Sequence, residues 1–154
     1  MIRAIIIDDE SRARSALKQE ITLNCPEVMI VGEADSVQSS VELIKKVVPE
    51  LIFLDIQLSD GLGFHILEKV GNEDYQIIFT TAYSEYAIKA FKTNALDYLL
   101  KPIDSEELIA AVAKVSQKKT EEATISQVPQ NVADLNIVQQ KKIILHTSDG
   151  LFVI

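Results

Sequence analysis

Cysteine is nearly absent: Cys25 is the only one in 154 residues, so no internal disulfide can form and no thiolate metal site can be built. Basic charge is also scarce, with 15 Lys and Arg against 23 Asp and Glu and a formal net charge of −8. Phosphate-backbone binding runs on Lys and Arg, so this stretch has no electrostatic footprint for nucleic acid. No apolar run approaches the roughly 20 residues of a membrane span. The start, Met1-Ile2-Arg3, leads straight into Ala4-Ile5-Ile6-Ile7 and then acids, without the pattern of a secretory leader. A reducing cytoplasm is the expected location, with no membrane partner.

The balance that remains, 47% hydrophobic and 25% charged, is that of a globular protein. Short apolar runs at Ala4–Ile7, Met29–Val31, Leu51–Leu54, Ile77–Phe79 and Tyr98–Leu100 show little alternation. Such runs predict strands buried on both faces of a parallel sheet. Helix-period segments separate them near Ser11–Leu23, Val37–Val47, Gly63–Val70, Glu85–Lys92 and Ser105–Gln117. In the last, Leu108, Ala111, Val112 and Val115 share one helix face, and Ser105-Glu106-Glu107 supplies a cap and acids at its start. Five strand–helix repeats predict an α/β fold with right-handed crossovers. Beyond Lys119 the Gln/Asn-rich stretch 120–140 reads as a linker. Lys142–His146, Ser148-Asp149-Gly150 and Leu151–Ile154 then predict a strand, a turn and a second strand.

In open parallel sheets, ligands bind beyond the carboxyl ends of the strands. The first strand ends in Asp8-Asp9-Glu10 and the third in Asp55. If those strands are neighbours, Asp8, Asp9 and Asp55 converge, and their repulsion calls for a hard divalent cation such as Mg²⁺. Helix capping would explain one acid per strand end, not a pair. The fourth strand ends in Thr80-Thr81-Ala82 and the fifth in Lys101-Pro102, adding a hydroxyl and an ammonium. Metal, ammonium and hydroxyl together suit a phosphoryl group, with Asp55 as nucleophile.

These residues resemble the receiver domain of two-component response regulators, over about Arg3–Lys119. The resemblance implies a flavodoxin-like, five-stranded parallel sheet in the order 2-1-3-4-5. It implies that Asp55 accepts phosphate from a sensor histidine kinase, that Asp8, Asp9, Asp55 and the Gln57 carbonyl bind Mg²⁺, and that Lys101 pairs with the phosphate. Thr81 would be the switch hydroxyl and Tyr98 the switch aromatic, with a cis Lys101–Pro102 bond. The domain would act as a signalling receiver, catalysing only its own phosphorylation and dephosphorylation. Dimerisation would use the fourth helix, fifth strand and fifth helix. Gln57 and Tyr83, two residues past the acceptor and the switch Thr, flank the path of an attacking water and are expected to tune phosphate lifetime.

Ala82-Tyr83 and Ala95–Ile103 resemble the receivers joined to LytTR-type DNA-binding domains, and Lys141–Gly150 resembles the first strands of such a domain. The expected organisation is therefore a receiver over 1–119, a linker over 120–140 and the start of a truncated effector over 141–154. DNA would be contacted only by the part of the effector beyond Ile154. A stand-alone receiver is the alternative. A haloacid-dehalogenase-type phosphatase would need a DxD after the first strand, which ends here in adjacent acids. A nucleotide-binding flavodoxin-like protein would need glycine after Ile7, where this chain is acidic. Gly61-Leu62-Gly63 reads as a turn, His65 and His146 as surface or packing residues, and Cys25 as inert. The acidity is mostly in the first part: residues 1–119 hold 13 Lys/Arg and 19 Asp/Glu, a net of 13 − 19 = −6.

Overall fold

The computed structural model describes residues 1–71 and 74–115. The expected linker, the partial hairpin and the boundary at Lys119 lie outside the described residues.

Five strands, β1 (Ile2–Ile7), β2 (Val28–Ala34), β3 (Leu51–Leu54), β4 (Gln76–Thr81) and β5 (Asp97–Leu100), form one parallel sheet in the order β2-β1-β3-β4-β5. That is the order the resemblance implies. Helices α1 (Ser11–Asn24), α2 (Val37–Val47), α3 (Gly63–Val70) and α4 (Ala87–Lys92) follow the first four strands, and helical residues 105–115, α5, follow β5.

Alternate residues of the apolar runs feed two cores. Ile2, Ala4 and Ile6 of β1 and Phe53 of β3 pack with Leu17 and Ile21 of α1 and with Leu108, Ala111, Val112 and Val115 of α5. On the other face Ile5, Ile7, Ile52 and Leu54 meet Val37 and Ile44 of α2, Phe64, Ile66 and Leu67 of α3, and Ala90 of α4. With both faces covered, no polar residue follows Arg3 in β1 and none occurs in β3, which explains the unbroken runs Ala4–Ile7 and Leu51–Leu54. Each buried Ile or Leu adds about 1.5–3 kcal/mol of transfer free energy.

The strand boundaries differ from expectation at β2, which runs on through Gly32 and Glu33 to Ala34. β2 is an edge strand, so it tolerates polar and small residues that would end a central one. Glu33 meets Arg14 at 3.2 Å and Lys18 at 3.5 Å, which anchors α1 to this edge. Helix α4 starts at Ala87 rather than Glu85, because Ser84–Tyr86 makes a turn first. The turn expected at Gly61-Leu62-Gly63 falls instead at Ser59 and Asp60: Gly61–Leu62 pairs with Gln57–Leu58 in a two-residue antiparallel ladder, and Gly63 is the first residue of α3. Asp60 then does what no local pattern announces: its carboxylate accepts from the backbone N–H groups of Val37 (2.7 Å) and Gln38 (3.2 Å). It thus adds to the Ser36 cap of α2.

Candidate functional site: a carboxylate pair bridged by lysine

Register carries the site. Ile7 pairs with Leu54, Leu54 with Phe79, and Thr81 with Leu100, so the residues that end each strand line one rim. Backbone bonds extend the ladder past its last pairs: Asp8 N–H donates to Ala34 O (3.1 Å), Asp55 N–H to Ile7 O (2.9 Å), and Lys101 N–H to Thr81 O (2.8 Å).

The side chains converge accordingly. Asp8, Asp55 and Thr81 are 3%, 6% and 0% exposed, so two carboxylates and a hydroxyl sit largely out of water. Between the acids lies the Lys101 ammonium, donating to Asp8 Oδ2 at 2.6 Å and to Asp55 Oδ2 at 3.0 Å. Burial by itself would lower the Lys101 pKa, but the two carboxylates outweigh it and hold the ammonium above the ordinary lysine range. The Lys101–Pro102 peptide bond is cis, as the resemblance implies.

The β1–α1 connection presents oxygen donors. One carboxylate oxygen from each of Asp8, Asp9 and Glu10 lies within 4.8 Å of the others, with Asp8 buried and the other two exposed. Asp8 Oδ1 also accepts from Glu10 N–H (2.9 Å), and the Arg14 guanidinium donates to Asp8 O (2.7 Å), so this loop is held from both sides. Glu10 was not singled out from sequence, although its adjacency to the acid pair was a signal. Asp55 is not one of this trio, and the Lys101 ammonium links it to Asp8. A trio of hard oxygen donors beside a buried carboxylate suits Mg²⁺ and not a thiophilic metal.

Around Asp55 the loops are tightly fitted. Gly63 opens α3 against it: a Cβ there would lie 2.5 Å from Asp55 O and 3.1 Å from the Leu54 side chain. Gly63 N–H donates to Ile56 O at 2.6 Å. Gln57 is half-buried; its N–H donates to Asp55 Oδ1 (3.4 Å), and its side-chain Nε2 reaches Tyr86 Oη (3.3 Å). Tyr86 packs on Phe64 and edge-on to Tyr83, with ring centroids 6.2 and 6.5 Å apart. Tyr83 N–H donates to Thr81 Oγ1 (3.4 Å), while the half-buried Tyr98 donates its hydroxyl to Tyr83 O. Burial pushes the Tyr98 phenol up from its ordinary value. From the α1 side, a groove of about 340 Å³ walled by Ala13, Leu17 and Ile103 reaches Asp8, Thr80 and Lys101.

The remaining residues of interest stand apart. His65 is exposed, and its Nδ1 accepts from Leu62 N–H (3.1 Å) at the start of α3. Cys25 is buried, and burial pushes its thiol up to about 11, the mark of an unreactive cysteine. His146 lies outside the described residues. Among the described residues no helix is long and apolar enough to cross a membrane.

Comparison with known proteins agrees with this arrangement. Residues 4–113 match the response regulator receiver domain. The sensory transduction protein LytT of Bacillus anthracis is 42% identical over 130 residues, covering 82% of this chain and 52% of that protein. The transcriptional regulatory protein BtsR of Escherichia coli K12 is 37% identical over 142 residues, covering 90% of this chain and 57% of BtsR. The chain thus spans about half the length of the curated relatives it matches. Among solved structures, the response regulatory domain of mrkE from Klebsiella pneumoniae superposes with a TM-score of 0.70 at 27% identity, over 78% of this chain and 99% of that one. The REC domain of AraT, a response regulator from Geobacillus stearothermophilus, gives a TM-score of 0.67 at 32% identity, over 79% and 98%.

Proposed function

Because the chain belongs to the receiver-domain family of two-component response regulators, of the LytT type, we propose that it accepts a phosphoryl group on Asp55 and converts that event into a change of surface. The observation that carries this reading is the Lys101 ammonium held between the buried carboxylates of Asp8 and Asp55. A cation so placed neutralises charge that phosphorylation would otherwise add to an already acidic pocket. In the transfer, an Asp55 carboxylate oxygen attacks phosphorus, the donor's P–N bond breaks, and the imidazole of a sensor kinase histidine leaves. The proposed Mg²⁺ ligands are Asp8, Asp9, Asp55 and the Gln57 carbonyl. When bound, the ion supplies charge neutralisation at the phosphoryl oxygens. Lys101 would follow the phosphate through its ion pair, and the buried Thr81 hydroxyl, which accepts from Tyr83 N–H, keeps its own proton for a phosphoryl oxygen.

Thr81 and Tyr98 form the proposed switch. Their link is the Tyr83 segment, bonded to Thr81 through its N–H and to Tyr98 through its carbonyl. A Thr81 drawn toward phosphate therefore pulls on the partner of the Tyr98 hydroxyl. The affected surface, α4–β5–α5, exposes Ile88 (73%), Phe91 (53%), Leu100 (45%) and Ile109 (45%), apolar side chains that a homodimer through these elements would cover. Gln57 and Tyr83 tune how long the phosphate lasts. In the whole protein, located in the cytoplasm, a receiver over 1–119 and a linker over 120–140 would control a LytTR-type DNA-binding output that begins at 141–154.

The test is incubation of the 154-residue protein with Mg²⁺ and acetyl phosphate, followed by intact mass. The parent should gain one phosphoryl group and Asp55→Asn none. An equal gain in both would sink the assignment of Asp55.

A further inference from the structure

Asp55 follows the last residue of β3 and Thr81 ends the neighbouring β4, and the segments that leave those ends are tied together by a polar side-chain contact, Gln57 Nε2 to Tyr86 Oη at 3.3 Å. Both ends of this tie are constrained. The Gln57 backbone lies in the two-residue ladder against Leu62 and donates its N–H to Asp55 Oδ1. The Tyr86 ring is wedged between Phe64 and Tyr83, at the turn that precedes α4. A long amide that would otherwise sample several rotamers is thus pinned from the β3 loop to the β4 loop, beside a carboxylate only 6% exposed.

From this geometry we propose that Tyr86 is a positioning residue that holds the Gln57 amide across the mouth of the Asp55 pocket and so restricts what reaches the acceptor. The proposal rests on Asp55 being the phosphoacceptor. A bar across the mouth hinders a small phosphodonor on the way in. It equally hinders the water that attacks phosphorus in the acyl phosphate, a step that cleaves the P–O bond, regenerates the Asp55 carboxylate and releases inorganic phosphate. A residue that only aligned the water would change the second rate and leave the first alone.

Tyr86→Phe keeps the ring and its contacts with Phe64 and Tyr83 while deleting the hydroxyl. In the parent and in Tyr86→Phe, the rate of phosphorylation by acetyl phosphate and the rate of loss of the phosphoryl group are followed by intact mass with Mg²⁺ present. The same pair is measured in a Gln57→Ala background, and thermal midpoints are recorded for all four proteins. Both rates should rise together in Tyr86→Phe by about threefold to tenfold, the span set by one neutral hydrogen bond of about 1 kcal/mol. In the Gln57→Ala background the Tyr86→Phe substitution should change neither rate, because the amide it holds is gone. Unchanged rates, slower rates, a change in hydrolysis alone, or an effect that persists without Gln57 would each overturn the proposal. Absence of phosphorylation in the parent would instead overturn the assignment of Asp55, which keeps the two failures apart.

Discussion

Lys101→Met is the most informative perturbation of the pocket, because it removes the charge between Asp8 and Asp55 and keeps most of the aliphatic volume. The contacts are short, 2.6 and 3.0 Å, and the acids' side chains are only 4% and 8% exposed, whereas that of Lys101 is 24% exposed. At an effective dielectric constant of about 20, each contact is worth about 5–6 kcal/mol of gross Coulomb attraction. Desolvation of three charged groups offsets most of this. Removing one partner of a fully buried pair costs about 3–5 kcal/mol. Here the lysine end is open to solvent, and water can enter after the substitution, so the expected loss is about 2–3 kcal/mol in EDTA. For a domain of this size that is a fall in thermal midpoint of about 8–12 °C.

Magnesium should then separate the two proteins. The parent pocket already holds a competing cation, while the variant presents two acids without one. Mg²⁺ should stabilise Lys101→Met by at least about 1 kcal/mol more than the parent, read through the mass-action term for a ligand that binds only the native state. The sign of the pH effect is fixed as well. A lysine whose folded pKa is raised contributes its full stabilisation below the unfolded value of about 10.4 and loses it as pH rises through the folded value. The stability gap between parent and variant should therefore be flat near neutrality and close as pH rises into the alkaline range. Urea unfolding of both proteins, with EDTA or with saturating Mg²⁺, measures each quantity. A deficit below about 0.5 kcal/mol in EDTA, or equal stabilisation by Mg²⁺, would refute the reasoning from the bridged pair.

Two further outcomes follow from contacts that support the rim. Gly63→Ala places a methyl 2.5 Å from Asp55 O, so the acceptor's backbone or the start of α3 must shift. We expect a loss of about 1–3 kcal/mol in urea unfolding together with slower phosphorylation by acetyl phosphate, and unaltered values of both would contradict the close fit. Asp60→Ala removes the acceptor of the Val37 and Gln38 N–H groups, bonds that hold the Asp60 pKa below its ordinary value. The variant should be less stable than the parent at neutral pH. The gap should shrink below about pH 4, as the parent's carboxyl takes up its proton; a gap independent of pH would count against the cap.

How much of this was legible in advance depends on the range of the interaction that decides each feature. β1 and β3 are covered on both faces, so burial alone dictates Ile5-Ile6-Ile7 and Leu51–Leu54, and the runs announce themselves. β2 pairs on one side only, so its sequence is free to include Gly32 and Glu33, and its end was not legible. The start of α4 at Ala87 rather than Glu85 is set by the turn at Ser84–Tyr86, which helical periodicity does not encode. Asp60 caps a helix that begins 23 residues before it, and Tyr86 meets Gln57 across 29 residues. Neither pair has a local signature, because nothing in the chain between them constrains their meeting.

The candidate site was far more legible than those contacts, for a reason that lies in parallel pairing. All the strands of a parallel sheet end on one side, so whatever follows each last ladder residue must gather on one rim. Asp8 follows Ile7, Asp55 follows Leu54 and Lys101 follows Leu100, while Thr81 is itself the last residue of β4. Side chains alternate faces along a strand, so a one-residue slip of β3 would carry Asp55 to the other face and move the whole Leu51–Leu54 run with it. The register that buries those four residues is therefore the register that sets Asp55 beside Asp8, with Lys101 between them across 93 residues of chain. Core packing and site assembly are one constraint here. Gln57 and Tyr83 are legible only by their offset of two residues from Asp55 and Thr81, whereas Tyr86, in the turn before α4, answers to no such constraint and is found by its contacts alone.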